Sequence, residues 1–369
     1  MTHPGGLYIH IPFCRQKCRY CDFTSYAGQE SYIDAYLKAL SVEAAHYDSS
    51  RFDTLYIGGG TPSLLSVDQL GKLCRIINKH FGPVANFAES TFEANPESLS
   101  EDKLYFLKQQ GLKRLSLGLQ SFQDDTLKRI GRIHTVEMFL QAYKRARKVG
   151  FDNINVDLIA GLPAQSAEQF FKGIKQLVML GPEHISVYGL QIEPGTAFAR
   201  EGVQTDEDLL RQELEQTHVF LQEAGYTHYE ISNFARRGFE SQHNINYWQN
   251  GNYLGLGVAA ASYEEGVRRS NTPDLQMYIA RTSTGERPTD FSEKLTGRAR
   301  AGERILLGLR MLEGVRLSTS DQRLFKAEID DICARGLVEQ KADLLKLTEQ
   351  GLFLANQAFM AFVEPFNDK

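Results

Sequence analysis

Leu7-Tyr8-Ile9-His10-Ile11-Pro12-Phe13-Cys14-Arg15-Gln16-Lys17-Cys18-Arg19-Tyr20-Cys21 is the stretch that decides how this chain is read. Directly after the β-rich run Leu7 to Ile11 it spaces three cysteines as C-x3-C-x2-C. Three soft thiolates on one loop can each hold one iron of a cubane [4Fe-4S] cluster, leaving the fourth iron without a protein ligand. Arg15, Lys17 and Arg19 favour the thiolate form and offset the negative charge of such a cluster. Structural zinc is the competing assignment. It wants four closed ligands, usually with a second C-x2-C or His pair downstream, and the sequence offers none. A disulfide plus one free thiol suits an oxidising compartment, for which nothing else in the chain speaks. The metal ligands expected are Cys14, Cys18 and Cys21.

Working outward, the 369 residues contain five cysteines, an odd number and a poor layout for a disulfide framework. Cys74 falls in the apolar stripe Leu70, Leu73, Cys74, Ile77, and Cys333 falls with Ile329 and Ile332, so both read as small buried hydrophobes. A 42% hydrophobic content supports a full core. The formal charge of −5, with no block of Lys or Arg, gives no footprint for nucleic acid or an anionic membrane. No apolar run approaches the roughly 18 to 20 residues of a membrane helix, and no signal-peptide pattern opens the chain. A cytoplasmic location is therefore expected.

Short β-rich runs recur with helical patterns between them: Leu7 to Ile11, Thr54 to Ile57, Thr91 to Ala94, Arg114 to Leu119, Asn153 to Ile159, Ile185 to Leu190 and Thr227 to Ile231. This alternation predicts an α/β fold of βα units on a parallel sheet. Ser66 to Gln69 reads as a capping box, and Ser100 opens a helix that stops at Gly111. Several strands end in glycine or polar residues, as in Gly58-Gly59-Gly60-Thr61-Pro62 and Phe92-Glu93-Ala94-Asn95-Pro96, which a βα barrel would gather at one mouth. From about residue 290 the pattern changes to helices over Arg298 to Leu312 and Ser320 to Arg335. Two short apolar runs at Leu337-Val338 and Leu344 to Leu347 follow, then a helix from Glu349 to about Phe362. The expected division is residues 1–285 and 286–369, the second a small, mainly helical, winged-helix-like unit. It lacks a basic face, so no nucleic acid is expected despite that shape.

Tyr8-Ile9-His10-Ile11-Pro12-Phe13-Cys14 with its C-x3-C-x2-C loop resembles the radical S-adenosylmethionine superfamily, in the branch that holds oxygen-independent coproporphyrinogen III oxidase and the heme chaperone HemW. The resemblance runs through nearly the whole chain and implies a partial (β/α)6 radical SAM barrel with a HemN-type C-terminal domain. It also implies that S-adenosylmethionine chelates the open iron, and that an electron from the cluster can cleave it to a 5′-deoxyadenosyl radical. Tyr8, Gly59, Gly60 and Thr61 match its primary cofactor site, with Glu93 as the carboxylate on the cofactor. A glycine run lets backbone approach a ligand closely, and a carboxylate accepts from an ammonium or from ribose hydroxyls. Gln120, Arg132 and Asp157 match positions of a second S-adenosylmethionine site or its equivalent space, and Gln191 a further contact. Taken without the resemblance, Asp157 would be a hydrogen-bonded structural residue and Arg132 a surface cation.

Four features bear on which member of the branch the chain resembles. The oxidases carry a fourth cysteine where this chain has Phe23, and a longer segment before the first strand. His243-Asn244-Ile245-Asn246-Tyr247-Trp248 resembles the H-N-x-x-Y-W motif associated with heme binding, in which His can ligate iron and Tyr and Trp can pack on the macrocycle. The alternative is a buried His243 satisfied by hydrogen bonds. Against these, Ala261 stands where the chaperones commonly have a His before Ser-Tyr, and alanine binds no metal. His10 is a further polar group near the cluster, or a support for its loop. The expectation is a heme chaperone that binds a [4Fe-4S] cluster, S-adenosylmethionine and heme or another tetrapyrrole. Its partners would be a heme-acceptor protein and an electron donor; the oxidative decarboxylase is the alternative, and no catalytic residue is assigned.

Overall fold

A computed structural model describes residues 5–47 and 52–363. Its centre is a mixed sheet of twelve strands. Six strands follow one another in chain order and pair in parallel: Gly5–Ile11, Phe52–Gly59, Glu89–Ala94, Arg114–Gln120, Ile154–Ala160 and His184–Gly189. Helices Ile33–Ala45, Val67–His80, Glu101–Gln109, Val136–Val149, Ala167–Leu180 and Glu207–Glu223 follow them in turn. The Ser66 capping box forms, with its hydroxyl on the Gln69 amide, and Ser100 caps its helix in the same way. These are the six βα units expected from the alternation.

The sheet stays open. On the side away from Phe52–Gly59, the first strand pairs in parallel with a seventh, Tyr253–Leu256, which the sequence pattern did not single out because it is four residues long and contains a glycine. Antiparallel strands Ala261–Glu264, Val267–Asn271 and Thr289–Lys294 extend that side. The run expected as a last βα strand, Thr227 to Ile231, is instead the edge of an antiparallel pair. Only Ile231 and Ser232 separate strand Thr227–Glu230 from Asn233–Ala235, and so short a connection can only fold back.

Side chains alternate along each parallel strand, and the two faces differ in kind. Leu7, Ile9 and Ile11, Leu55 and Ile57, Leu115, Leu117 and Leu119, and Ile154, Val156 and Leu158 enter the main hydrophobic core. Each such side chain stabilises the fold by roughly 1.5–3 kcal/mol. The alternate positions, Ile159 apart, are polar or glycine, and several bond to one another: Tyr8 to His10, Tyr56 to Glu93, Arg114 to Thr91, Ser116 to Asp157, and His184 to Asn155. One face of the sheet is thus built as a lined interior.

The C-terminal segment has its own core around Ile305, Leu309, Phe325, Ile332 and Leu345. Its three-stranded sheet, Val315–Arg316, Leu344–Leu347 and Val338–Lys341, and the surrounding helices agree with the winged-helix-like expectation. The helix expected over Ser320 to Arg335 is two helices, Thr319–Leu324 and Lys326–Ala334, because Phe325 leaves helical backbone and buries its ring in that core. Backbone bonds from Leu312 to Tyr229 and from Ile231 to Arg310 tie this unit to the edge strand of the large sheet. Cys74 is buried as expected, whereas Cys333 is half-buried at the margin of the second core. Among the described residues no helix is long and apolar enough to cross a membrane.

Candidate functional site

The cysteine loop leaves the first strand at Phe13 and Cys14, which pair with Tyr26 and Ala27 so that both ends of the loop are held. Cys14, Cys18 and Cys21 are free and partly exposed. Among the described residues no three His, Cys, Asp or Glu side chains close on a single point, as the ligands of one zinc ion would. A cubane asks for something different, since each thiolate binds a separate iron. Two observations fit that group. Thr61 Oγ1 donates to Cys14 Sγ at 3.5 Å and Arg132 Nη1 donates to Cys18 Sγ at 3.7 Å, so two sulfurs already face donors that suit a thiolate. A Cβ on Gly60 would stand 2.9 Å from Cys14 Sγ and 2.8 Å from the Phe13 carbonyl, so only glycine lets this turn lie against the loop.

Glu93 lies beside the glycine run. Its Oε1 accepts from the Tyr56 hydroxyl at 2.6 Å and its Oε2 from the Gly59 amide at 3.1 Å. Burial pushes this carboxyl up to about 7, against the pull of the Tyr56 hydroxyl. Gln120, Arg132 and Asn95 converge over Gly118, where a Cβ would come within 3.0 to 3.2 Å of all three. Gln120 itself has a left-handed backbone, φ 73°, at a bulge in its strand. Arg132 is no surface cation: it is partly buried and donates to Asn95 Oδ1, the Gly118 carbonyl and His134 Nδ1. Asp157 sits on the neighbouring strand with Ser116 and Asn155 as donors, its carboxyl also raised by burial. The structure therefore brings Gly59, Gly60, Thr61, Glu93, Gln120, Arg132 and Asp157 to one region beside the loop. Gln191 is not among them; it is exposed and lines a separate cavity against the C-terminal helices.

Deeper along the same face, Tyr8, Tyr56, His243, Tyr247, Trp248 and Tyr253 line a cavity of about 380 Å³. Glu303 and Leu307, from helix Gly297–Gly308 of the C-terminal unit, close one wall. Ala261 reaches this cavity too, so the position where a His was expected faces the ring of His243's neighbours. His243 is buried, with Nδ1 2.7 Å from Thr54 Oγ1 and Nε2 2.8 Å from the Tyr247 hydroxyl, and its ring stacks on Tyr56. The hydrogen-bonded alternative describes its present state: both ring nitrogens have partners. Burial, with the charge of Arg114 added, pulls the imidazole down to about 3 and keeps it neutral. Phe23, the residue in place of a fourth cysteine, is 64% exposed.

His10 connects the two regions. Its Nε2 lies 2.8 Å from the Thr24 carbonyl, so that nitrogen carries the proton, and Nδ1 accepts from the Tyr8 hydroxyl at 2.8 Å. It supports the loop, as one of its two expected roles had it. Residues that the motifs did not mark also build the site. Tyr56 links the cavity to Glu93. Glu89 caps the His243 helix through the amides of Gln242 and His243. Arg114 is a buried cation, 2% exposed, whose Nε has no hydrogen-bond partner among the described residues.

Residues 8–177 match the model of the radical SAM superfamily, and residues 295–354 match the model of the HemN C-terminal domain. The chain is 38% identical to the heme chaperone HemW of Bacillus subtilis, covering 96% of this chain and 98% of the relative. It is 35% identical to the heme chaperone HemW of Escherichia coli over 98% of both chains. Among solved structures, coproporphyrinogen III oxidase (HemN) from Escherichia coli, described as a radical SAM enzyme, superposes with a TM-score of 0.85 at 26% identity. That superposition covers 98% of this chain and 90% of the oxidase.

Proposed function

Because the chain belongs to the heme chaperone HemW family of radical SAM proteins, we propose that it binds heme, carries a [4Fe-4S] cluster with exchangeable S-adenosylmethionine, and delivers heme to an acceptor protein. One observation carries this reading. A loop of three free thiols and an aromatic cavity lie on one face of one sheet, joined by the Tyr8, His10 and Thr24 hydrogen bonds. Cys14, Cys18 and Cys21 would hold the cluster, which when reduced supplies one-electron chemistry to S-adenosylmethionine on its open iron. Tyr8, Gly59, Gly60, Thr61 and Glu93 would seat that cofactor, with Gln120, Arg132 and Asp157 as the second polar set. The three thiols suit a reducing compartment, which supports a cytoplasmic location with an electron donor as partner.

In the cavity, a flat apolar macrocycle would find rings on several sides and a neutral His243, the protonation state in which imidazole ligates iron. His243 shares its Nε2 with Tyr247, so iron ligation there competes with that hydroxyl. The oxidative decarboxylase is kept as the second reading because of the superposition on the HemN oxidase. Phe23 speaks against it, since an exposed phenyl ring stands where the oxidases carry a further thiol.

An anaerobic experiment on reconstituted protein separates the two. Heme titration followed by transfer to an apoprotein is expected, together with loss of iron in Cys14→Ala, Cys18→Ala and Cys21→Ala. Sustained 5′-deoxyadenosine release with loss of two carboxylates from coproporphyrinogen would overturn the chaperone assignment.

A further inference from the structure

Two of the three loop sulfurs are joined by an unbroken chain of side-chain hydrogen bonds. Thr61 Oγ1 donates to Cys14 Sγ at 3.5 Å and accepts from Asn95 Nδ2 at 3.1 Å. Asn95 Oδ1 accepts from Arg132 Nη2 at 2.7 Å, and Nη1 of the same guanidinium donates to Cys18 Sγ at 3.7 Å. The directions follow from chemistry. A guanidinium only donates, so the amide oxygen must face Arg132, which turns the amide NH2 toward Thr61. That NH2 occupies a lone pair of the Thr61 hydroxyl and leaves its single proton for the sulfur. Arg132 is held in turn by the Gly118 carbonyl at 2.8 Å and His134 Nδ1 at 3.3 Å.

We propose that Thr61, Asn95 and Arg132 are a bridge that tunes the cluster and fixes two of its ligands, with Asn95 as the positioning residue at its centre. The proposal rests on the cluster assignment above. Donors to cluster sulfurs, and a positive charge beside them, stabilise the extra electron of the reduced state and so raise the reduction potential. Partners of this kind also orient the ligands, and losing one typically costs about 10–100-fold in metal affinity. Asn95 touches neither sulfur. It aims the donors at both ends, so its loss is felt at both.

The test is a redox titration, read by electron paramagnetic resonance, of the anaerobically reconstituted full chain without S-adenosylmethionine. Leaving out S-adenosylmethionine removes any contribution that Thr61 or Arg132 makes through that cofactor. Thr61→Val and Arg132→Gln are expected to move the midpoint to more negative potential, and Thr61→Ser, which keeps the hydroxyl, to restore it. Asn95→Leu is expected to move it in the same direction and to lose iron to a chelator about tenfold faster. Unchanged potentials and spectra in Thr61→Val and Asn95→Leu at full iron content would overturn the bridge. Should Asn95→Leu fail to hold iron, the Thr61→Val and Thr61→Ser pair decides alone. A wild-type chain that takes up no cluster would overturn the cluster assignment and the bridge with it, and the wild-type control shows which has failed.

Discussion

Tyr56 donates its hydroxyl proton to Glu93 Oε1 across 2.6 Å, and this bond reaches from the aromatic cavity to the glycine-lined region beside the cysteine loop. Burial holds Glu93 near 7, and the ionised form is the one that accepts from an ammonium or from ribose hydroxyls. Affinity for S-adenosylmethionine should therefore rise with pH through about 7. Removing a hydrogen bond to a charged group costs about 1.5–3 kcal/mol, equivalent to raising the carboxyl by about one to two pH units. Tyr56→Phe is expected to displace the rise to more alkaline pH and to weaken binding at pH 7 by roughly tenfold. Calorimetry at pH 6, 7, 8 and 9 reads both; a pH-independent affinity in the wild type would remove Glu93 from the cofactor.

Ala261 lies on the wall of the cavity that His243, Tyr247 and Trp248 also line. An imidazole placed there would be a second nitrogen donor in an aromatic pocket, not tied to Thr54 and Tyr247 as His243 is. Ala261→His is expected to tighten heme binding by about tenfold or more, in line with the gain of a ligand, and to shift the Soret band. Heme titration by absorption checks it. An unchanged spectrum and affinity would place the heme elsewhere.

How far the site could be read in advance depended on distance along the chain. The cysteine loop was legible because its three ligands lie within eight consecutive residues, and the Ser66 capping box because it is local. The cavity was not, because Tyr8, Tyr56 and His243 come from three separate elements. A signal for it was present nonetheless. A strand covered on both faces by helices should be apolar throughout, yet Gly6, Tyr8 and His10, then Thr54, Tyr56 and Gly58, then Thr91 and Glu93 alternate with apolar positions. That period of two marks a lined interior and would have pointed to Tyr56 and, through Arg114, Ser116 and Gly118 on the next strand, to Arg114. Asn95 had no such signal, since its role depends on Thr61 and Arg132, 34 and 37 residues away. The open edge was missed for a similar reason: Tyr253–Leu256 is too short to show a pattern and exists because the first strand offers it a partner.

Glu89 joins the floor of the sheet to the heme-motif helix. Its carboxylate accepts from the Gln242 amide at 2.9 Å and the His243 amide at 3.0 Å, which satisfies two of the orphan donors at the start of helix Gln242–Trp248. Glu89→Ala leaves those amides buried without partners and is expected to cost about 1–2 kcal/mol. Because the strain falls on His243 and Trp248, heme affinity should drop while S-adenosylmethionine affinity stays near that of the wild type. Chemical denaturation and the two titrations, made on the same preparation, test this. Equal losses for both ligands would show that Glu89 supports the whole interior and not that helix.

Glu43 carries the clearest pH dependence of stability. It is buried, and its two oxygens accept from the Tyr278 hydroxyl at 2.5 Å, the Asn271 amide at 2.6 Å and the Gly257 amide at 2.8 Å. Burial nonetheless pushes its carboxyl up to about 7. The folded chain then holds this proton at pH values where the unfolded chain, titrating near 4.5, has released it. The Glu43 contribution to stability is full below about 4.5 and falls as pH rises, until it is gone above about 7, a change on the order of 3 kcal/mol. Glu93, Glu213 and Glu230 are pushed up to about 7 by burial as well, so the slopes add in one direction. Urea unfolding of the cluster-free, reduced chain should give lower stability at pH 8 than at pH 6. In Glu43→Gln the slope should be reduced but not removed, because the amide cannot titrate and the other three carboxyls still do. A slope identical to wild type would show that Glu43 is already ionised in the folded chain, held by its three donors against the cost of burial.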